Sequence, residues 1–322
     1  MIVDYTIVIR TVGLAGRCYQ ILLDSIISQS IPPREIIVYI ANGYKLPKET
    51  IQKEKYVYVS KGMVAQRALV YDEVKTEYCL FLDDDVYLPP DAVEKMYNEL
   101  VQNNAQVISP CTFENHKAPF KSKFLKSLTG KEVCRILGYR WAFKVLRTAG
   151  FSYNNNPYRP VYESQSNAGP CFFCRKEDFL NIAFQEELWL DKAPYALPED
   201  QVMYYKMYKK GLKVLTTFDT GIVHLDAGST IGQNPERSAK LIFSEYRNKL
   251  IFWHRFIYLP EKSWALKIWS IMAILYSYGV QFFKHSVFYF LGKKSEAKSF
   301  WSGCLSGLDY IKSEEYKKLP RI

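Results

Sequence analysis

An α/β domain built on a doubly wound, mostly parallel sheet is what the first hundred residues predict. Short apolar runs there alternate with segments of helical periodicity, and turn signals separate them. Composition agrees: 322 residues that are 48% hydrophobic and 24% charged exclude a disordered or fibrous chain. The length suits one large α/β domain with additions, or two domains.

Each element has its own reason. Residues 5–10 form an apolar run bounded by Thr11 and Gly13, as a buried strand requires. Residues 16–29 carry Ile21, Leu22, Ser25, Ile26 and Ile27 at helical spacing, and Pro32-Pro33 stops that helix. A second strand at 35–40 closes on the turn dipeptide Asn42-Gly43, and 55–59 reads as a third. A helix is expected over 62–74 and a fourth strand over 78–82. Pro89-Pro90 then opens a helix whose stripe of Val93, Met96, Tyr97 and Leu100 is set to face the sheet. In such sheets ligands bind outside the carboxyl ends of the strands.

At the end of the fourth strand stand Asp83, Asp84 and Asp85. Three adjacent carboxylates repel one another, and burying part of the set is costly without a cation. Strand alternation predicts that Asp83 and Asp85 project the same way, giving two hard oxygen donors suited to Mg²⁺ or Mn²⁺ shared with phosphate. The plain alternative is a solvated acidic turn capping the next helix. Glu199-Asp200 precedes a helix over 202–211 that ends in Lys209, Lys210 and Gly211; taken alone, the pair is helix capping. His224 lies in a strand-like run and gains meaning only beside the aspartates.

Seven cysteines at scattered spacings, behind an opening that runs straight into a strand, predict free thiols in a reducing cytosolic setting. Cys171 and Cys174 have redox or zinc spacing but no second Cys/His pair, so burial in a strand is the expectation.

Together these pieces resemble a family-2 glycosyltransferase with the GT-A fold, and the order of the motifs carries the resemblance over roughly residues 4–255. That family opens with a strand, a Thr and an Arg-bearing turn, here Thr11 and Arg17. A Glu-Ile-Ile-Val strand matches Glu35 to Val38, and a Gly-x-x-x-Ala-Arg-Asn segment matches Gly62 to Ala68, with Arg67 in place. Asp83-Asp84-Asp85 stands for the Asp-x-Asp motif, Glu199-Asp200 for the Glu-Asp helix start, and His224 for a late His. Two positions depart: Asn42 stands where the family has an Asp-Asp-Gly-Ser-like segment, and Ala68 where it commonly has Asn.

The resemblance implies a nucleotide-sugar donor contacted by Thr11, Arg17, Asn42, Arg67, Asp83 and Asp84. It implies Mn²⁺ or Mg²⁺ on Asp85 and His224, with Asp83 close by. Asp200 is the implied base, giving inversion in one displacement, with Glu199 positioning. Gly169, Trp189 and Asp191 fall on the implied acceptor side, where a Trp ring packs on a sugar's apolar face or is simply buried.

The net charge of +10 is uneven: eight basic residues against one acidic between Lys121 and Arg147, and fourteen against six from Lys240 onward. The first zone interleaves its cations with apolar residues, Ile136 and Leu137 among them, and predicts one or two basic amphipathic helices, either on an anionic membrane or packed on the body. Residues 268–283 carry no charge, short of the ~20 a span needs, so helices lying on a membrane surface fit better. The expected organisation is a catalytic domain over 1–255 with an insertion at about 116–165, then a helical membrane-associating region over 256–322. The expected setting is the cytoplasmic face of a cell membrane, with a glycan or lipid-linked acceptor and no nucleic acid. Two rival readings are a haloacid-dehalogenase-like phosphatase using Asp83 and Asp85, and a basic nucleic-acid binder.

Overall fold

β-Branched and aromatic residues crowd the short runs that become strands, and the turn residues between them set where each ends. In the computed structural model, which describes residues 3–113, 119–135, 139–225 and 234–322, the chain runs β1 (Tyr5–Thr11), α1 (Arg17–Ile27), β2 (Glu35–Ala41), β3 (Glu54–Val59), β4 (Tyr78–Asp83), β5 (Val86–Tyr87), α2 (Ala92–Gln102), β6 (Val107–Pro110) and α3 (Phe120–Leu128). It continues through β7 (Glu132–Arg135), β8 (Trp141–Val145), β9 (Phe151–Asn154), β10 (Val161–Ser164), β11 (Cys171–Arg175), α4 (Lys176–Asn181), α5 (Glu199–Lys209), β12 (Val214–Thr217) and β13 (Val223–His224). The helices α6 (Pro235–Phe252), α7 (Trp264–Phe290), α8 (Lys294–Lys312) and α9 (Glu314–Lys317) complete it.

Two compact units divide the chain: residues 1–113, 157–185 and 207–229 form the first, and 114–156, 186–206 and 230–322 the second. This partition does not follow a single boundary at 255. In the first unit the strand order is β3-β2-β1-β4-β11-β6-β12-β10. β1 pairs in parallel with both β2 and β4, while β11 is antiparallel to β4 and β6. The strand order reverses between β1 and β4, which makes their carboxyl ends the place for a ligand. A separate ladder pairs β13 with β5, setting His224 opposite Val86.

The first unit's core lies between this sheet and α1 and α2. Leu22, Leu23, Val93 and Met96 are fully buried there. Truncating one such Leu to Ala costs about 2–5 kcal/mol. Cys171 and Cys174 are buried in β11, and all seven cysteines are free.

One expectation fails and another holds in part. Residues 62–74 do not form a helix but a chain of turns, in which Gln66 N donates to Gly62 O and Tyr71 adopts a left-handed backbone at φ 54°. The side chains there serve tertiary contacts instead: the Gln66 amide donates to Thr11 O at 3.0 Å, and the Tyr71 hydroxyl donates to Arg67 O at 2.7 Å. The basic zone holds one helix, α3, and then strands rather than a second helix. β9 pairs with both β7 and β8, and Val133, Trp141, Phe143 and Val145 suit a pleated surface better than a helix. Ile136, Leu137 and residues 116–118 of the expected insertion lie outside the described residues.

The second unit also contains α6 to α9. Gly303 and Gly307 let α8 lie close on α6: a Cβ at Gly303 would stand 2.6 Å from Phe243 O, and one at Gly307 2.9 Å from Arg247 O. Helix α7 is 27 residues long and, among the described residues, the one helix long and apolar enough to cross a membrane by length and composition.

Candidate active site

Parallel pairing brings Arg10 on β1 directly beside Asp83 on β4. The Arg10 guanidinium grips Asp83 in a fork, with Nη2 donating to Oδ2 at 3.1 Å and Nε to the other oxygen. Arg67, only 3% exposed, stands 3.6 Å from Asp83 and donates to Gly169 O at 2.9 Å. Burial works against the Asp83 charge, but Arg10 and Arg67 outweigh it and hold this carboxyl below the usual carboxylate range. The space among Arg10, Gln66, Arg67, Asp83 and Gly169 is about 10 Å³, room for one water.

β4 ends at Asp83, so the strand alternation used to pair Asp83 with Asp85 no longer applies beyond it. Each of the three carboxylates meets a different partner. Asp84 accepts a hydrogen bond from the Thr11 hydroxyl, which itself accepts from Gly13 N at 2.7 Å. Burial first, then repulsion from Asp85 and Asp83, pushes the Asp84 carboxyl up to about 6, against the pull of Thr11. Asp85, 8% exposed, lies 3.0 Å from His224 Nε2 across 139 residues of sequence. The β5–β13 ladder makes that meeting: Leu225 N donates to Asp85 O at 2.7 Å, which fixes the strand carrying His224 against the acidic turn.

A carboxylate and an imidazole side by side are donors of the kind that Mn²⁺ or Mg²⁺ accepts together with phosphate oxygens and water. Asp85 and His224 thus fit such an ion. Among the described residues no group of three or more His, Cys, Asp or Glu side chains is gathered for one. The expected third donor, Asp83, is already engaged by Arg10.

Other expected site residues take varied places. Arg17 is exposed at the first position of α1. Asn42 is exposed in the turn after β2, its backbone N donating to Val59 O at 2.7 Å. Gly169 is buried, its carbonyl taken by Arg67. Glu199 and Asp200 begin α5, Glu199 at 2% exposure, and Asp191 is half-buried.

Trp189 is a correction. It is 2% exposed, and its Nε1 donates to Glu187 at 2.6 Å, so its ring has no open face for a sugar. Trp189 belongs to a packed ion network: Lys206 Nζ donates to Glu187 and Glu186 at 2.8 Å each, and Arg255 lies 3.0 Å from Glu187. Neither Arg10 nor this network stood out in the sequence. The signal for Arg10 is a cation at the carboxyl end of the strand beside the acidic one, which needs the pairing register to be read.

The sequence model of the family described as glycosyl transferase family 2 matches residues 20–179. That stretch contains Arg67, Asp83 to Asp85 and Gly169, and ends before Asp200 and His224. No curated protein matches the sequence. Among solved structures, residues 1–349 of S. aureus TarS align with a TM-score of 0.52 at 14% identity, covering 98% of this chain and 83% of that one. A structure of GalNAc-T7 with UDP, GalNAc and Mn²⁺ aligns at 0.47 and 14%, covering 84% and 55%. The TarS likeness shows a shared fold, that of the GT-A glycosyltransferases; the GalNAc-T7 likeness is too distant to argue from.

Proposed function

The chain belongs to glycosyl transferase family 2, and from that premise we propose a divalent-cation-dependent, inverting transfer of a sugar from a nucleotide-sugar donor. The acceptor is a hydroxyl of a glycan or lipid-linked precursor, in cell-surface polysaccharide synthesis at the cytoplasmic face of a membrane. The observation that carries the reading is the Asp85–His224 pair at 3.0 Å, two donors brought together at the carboxyl end of the sheet. The Asp84 carboxyl is raised to about 6 by burial and by its acidic neighbours.

Asp85 and His224 are the residues that would hold Mn²⁺ or Mg²⁺, which when bound neutralises charge growing on the leaving diphosphate. Arg10 and Arg67 hold Asp83, and with it the end of β4, rigid beneath the donor. Thr11 fixes Asp84 so that the acidic turn keeps its shape. Arg17 and Asn42 are exposed and available to the nucleotide. Asp200 takes the proton from the attacking acceptor hydroxyl, and Glu199 positions it.

Helix α7 supports the membrane assignment. Its buried side chains are Ser270, Ile274, Ser277, Gln281 and His285, four of them polar. Most of its large apolar residues face outward instead, with Leu275 65%, Phe283 71% and Phe290 86% exposed. A helix with its polar stripe inward and its apolar face outward suits contact with lipid, and Lys293 and Lys294 at its end suit anionic headgroups.

The test is a screen of nucleotide sugars for binding and slow hydrolysis with Mn²⁺ or Mg²⁺. If none binds in either metal, sugar transfer is the wrong reaction. With a donor in hand, Asp200→Asn is expected to bind it normally while transfer falls by about 10²–10⁴-fold. Unchanged turnover would remove Asp200 from the role of base.

A further inference from the structure

Helices α3, α6 and α7, all within the second unit, enclose a groove of about 1030 Å³. That lies at the upper end of the range for small-molecule sites. Leu125 and Leu128 form one wall, Leu241 and Ile242 another, and Phe283 and Val287 a third. Charged residues on the lining cancel, Lys126, Lys131 and Lys284 against Glu132, Glu245 and Glu296. Two pairs are closed, Lys126–Glu132 and Lys131–Glu245, each at 2.7 Å. A phosphate or carboxylate would therefore meet as many anions as cations, and the groove suits an uncharged ligand.

Two side chains on the lining carry polar atoms that have no hydrogen-bond partner among the described residues. Gln281 is 4% exposed and its Oε1 has no hydrogen bond; His285 is 1% exposed and neither ring nitrogen has one. Buried polar atoms in folded proteins are nearly always satisfied, so each such atom calls for a donor or acceptor. Elsewhere on the same stripe the need is met internally: Ser270 accepts from Arg147 at 2.6 Å, and Ser277 donates to Thr129 O at 2.8 Å. The His285 ring is held in place, stacked on Phe300 with centroids 4.6 Å apart and 9° between planes. Burial lowers its pKa to about 4, so it is neutral, with one N–H to donate and one nitrogen to accept. One hydroxyl group can donate to the amide oxygen and accept from the imidazole N–H, and a second can donate to the other ring nitrogen.

We propose that this groove binds a neutral, hydroxyl-bearing long-chain lipid, with its hydrocarbon against Leu125, Leu128, Phe283 and Val287 and its hydroxyl on Gln281 and His285. The proposal is independent of the sugar-transfer reading, and a protein that turned over no nucleotide sugar would leave it standing.

The test is calorimetric titration of the full chain with 1-monolauroylglycerol below its micelle concentration, with methyl laurate and dodecyl phosphate as comparisons. Saturable binding of the glyceride is expected, at least about tenfold tighter than of the phosphate. Val287→Trp, which fills the groove from a partly exposed position, is expected to weaken it by about tenfold or more. Leu128→Trp on the facing wall does the same and keeps the test alive should the first variant misfold. His285→Phe preserves the stack on Phe300 and is expected to abolish the preference for the glyceride over methyl laurate. The proposal is overturned by non-saturable binding, by affinity undiminished in a folded Trp variant, by a phosphate that binds as tightly, or by a His285→Phe protein that still prefers the glyceride.

Discussion

Two clusters of carboxylates in this protein have opposite electrostatic fates. In the first unit, Asp84 accepts from the Thr11 hydroxyl and Asp85 lies beside His224, and burial pushes the Asp84 carboxyl up to about 6. In the second, Glu187 is buried yet meets Lys206, Arg255 and the Trp189 N–H. Burial would raise the Glu187 carboxyl, but Lys206 and Arg255 outweigh it and hold it below the usual range. Acidic residues that are fully neutralised by their own chain serve the fold. The acidic turn at the end of β4 instead carries a carboxyl that burial and its acidic neighbours raise.

The largest expected effect separates the clusters by activity. Asp85→Ala should lower nucleotide-sugar turnover on the order of 10³-fold at saturating Mn²⁺, with the melting temperature nearly unchanged. Retained turnover would mean the ion is held elsewhere. Glu187→Gln should do the reverse, leaving Lys206 buried beside a neutral amide. The expected cost is about 3–5 kcal/mol, seen as a loss of roughly 10 °C in melting temperature. An unshifted melting curve would show that the network contributes nothing net.

A pH series sharpens the contrast. The Glu187 carboxyl is depressed in the folded state, so its contribution is present above the unfolded value of about 4.3 and disappears as pH falls through the lower folded one. Denaturant titrations of wild type should thus show stability falling below about pH 4.3, and Glu187→Gln should show a shallower fall. The smallest expected effect concerns Lys249, 5% exposed on α6, which burial lowers to about 8. The unfolded chain binds more protons at this group between that value and about 10.4, so stability should rise with pH across the window. Lys249→Met should flatten the rise, and an unaltered slope would assign it to another group.

Much of the first unit was legible in the sequence. β1, β2 and β4 are short apolar runs of strand length bounded by turn residues, and Val93, Met96 and Leu100 marked the inner face of α2. The stretch 62–74 misled because Gln66, Arg67 and Tyr71 look helical by spacing but are committed to neighbours distant in sequence. The basic segment misled because its alternation of cations and apolar residues fits a helix or a strand edge equally well until β9 supplies the hydrogen bonds. Trp189 could be read as exposed or buried from sequence; Glu187, Lys206 and Arg255 close around it and decide.

Local pattern alone was enough to establish the α/β alternation, the acidic turn at the end of β4, and the motif order that marks the family, because these depend on neighbours within a few residues. Partner choice was not. That Asp83 goes to Arg10 while Asp85 goes to His224 depends on strand register and on the β5–β13 ladder. Equally, only the packed helices reveal that α7 turns its serines, Gln281 and His285 inward. Hydrogen bonds and ion pairs act over about 3 Å, so which charge meets which is decided by the folded chain.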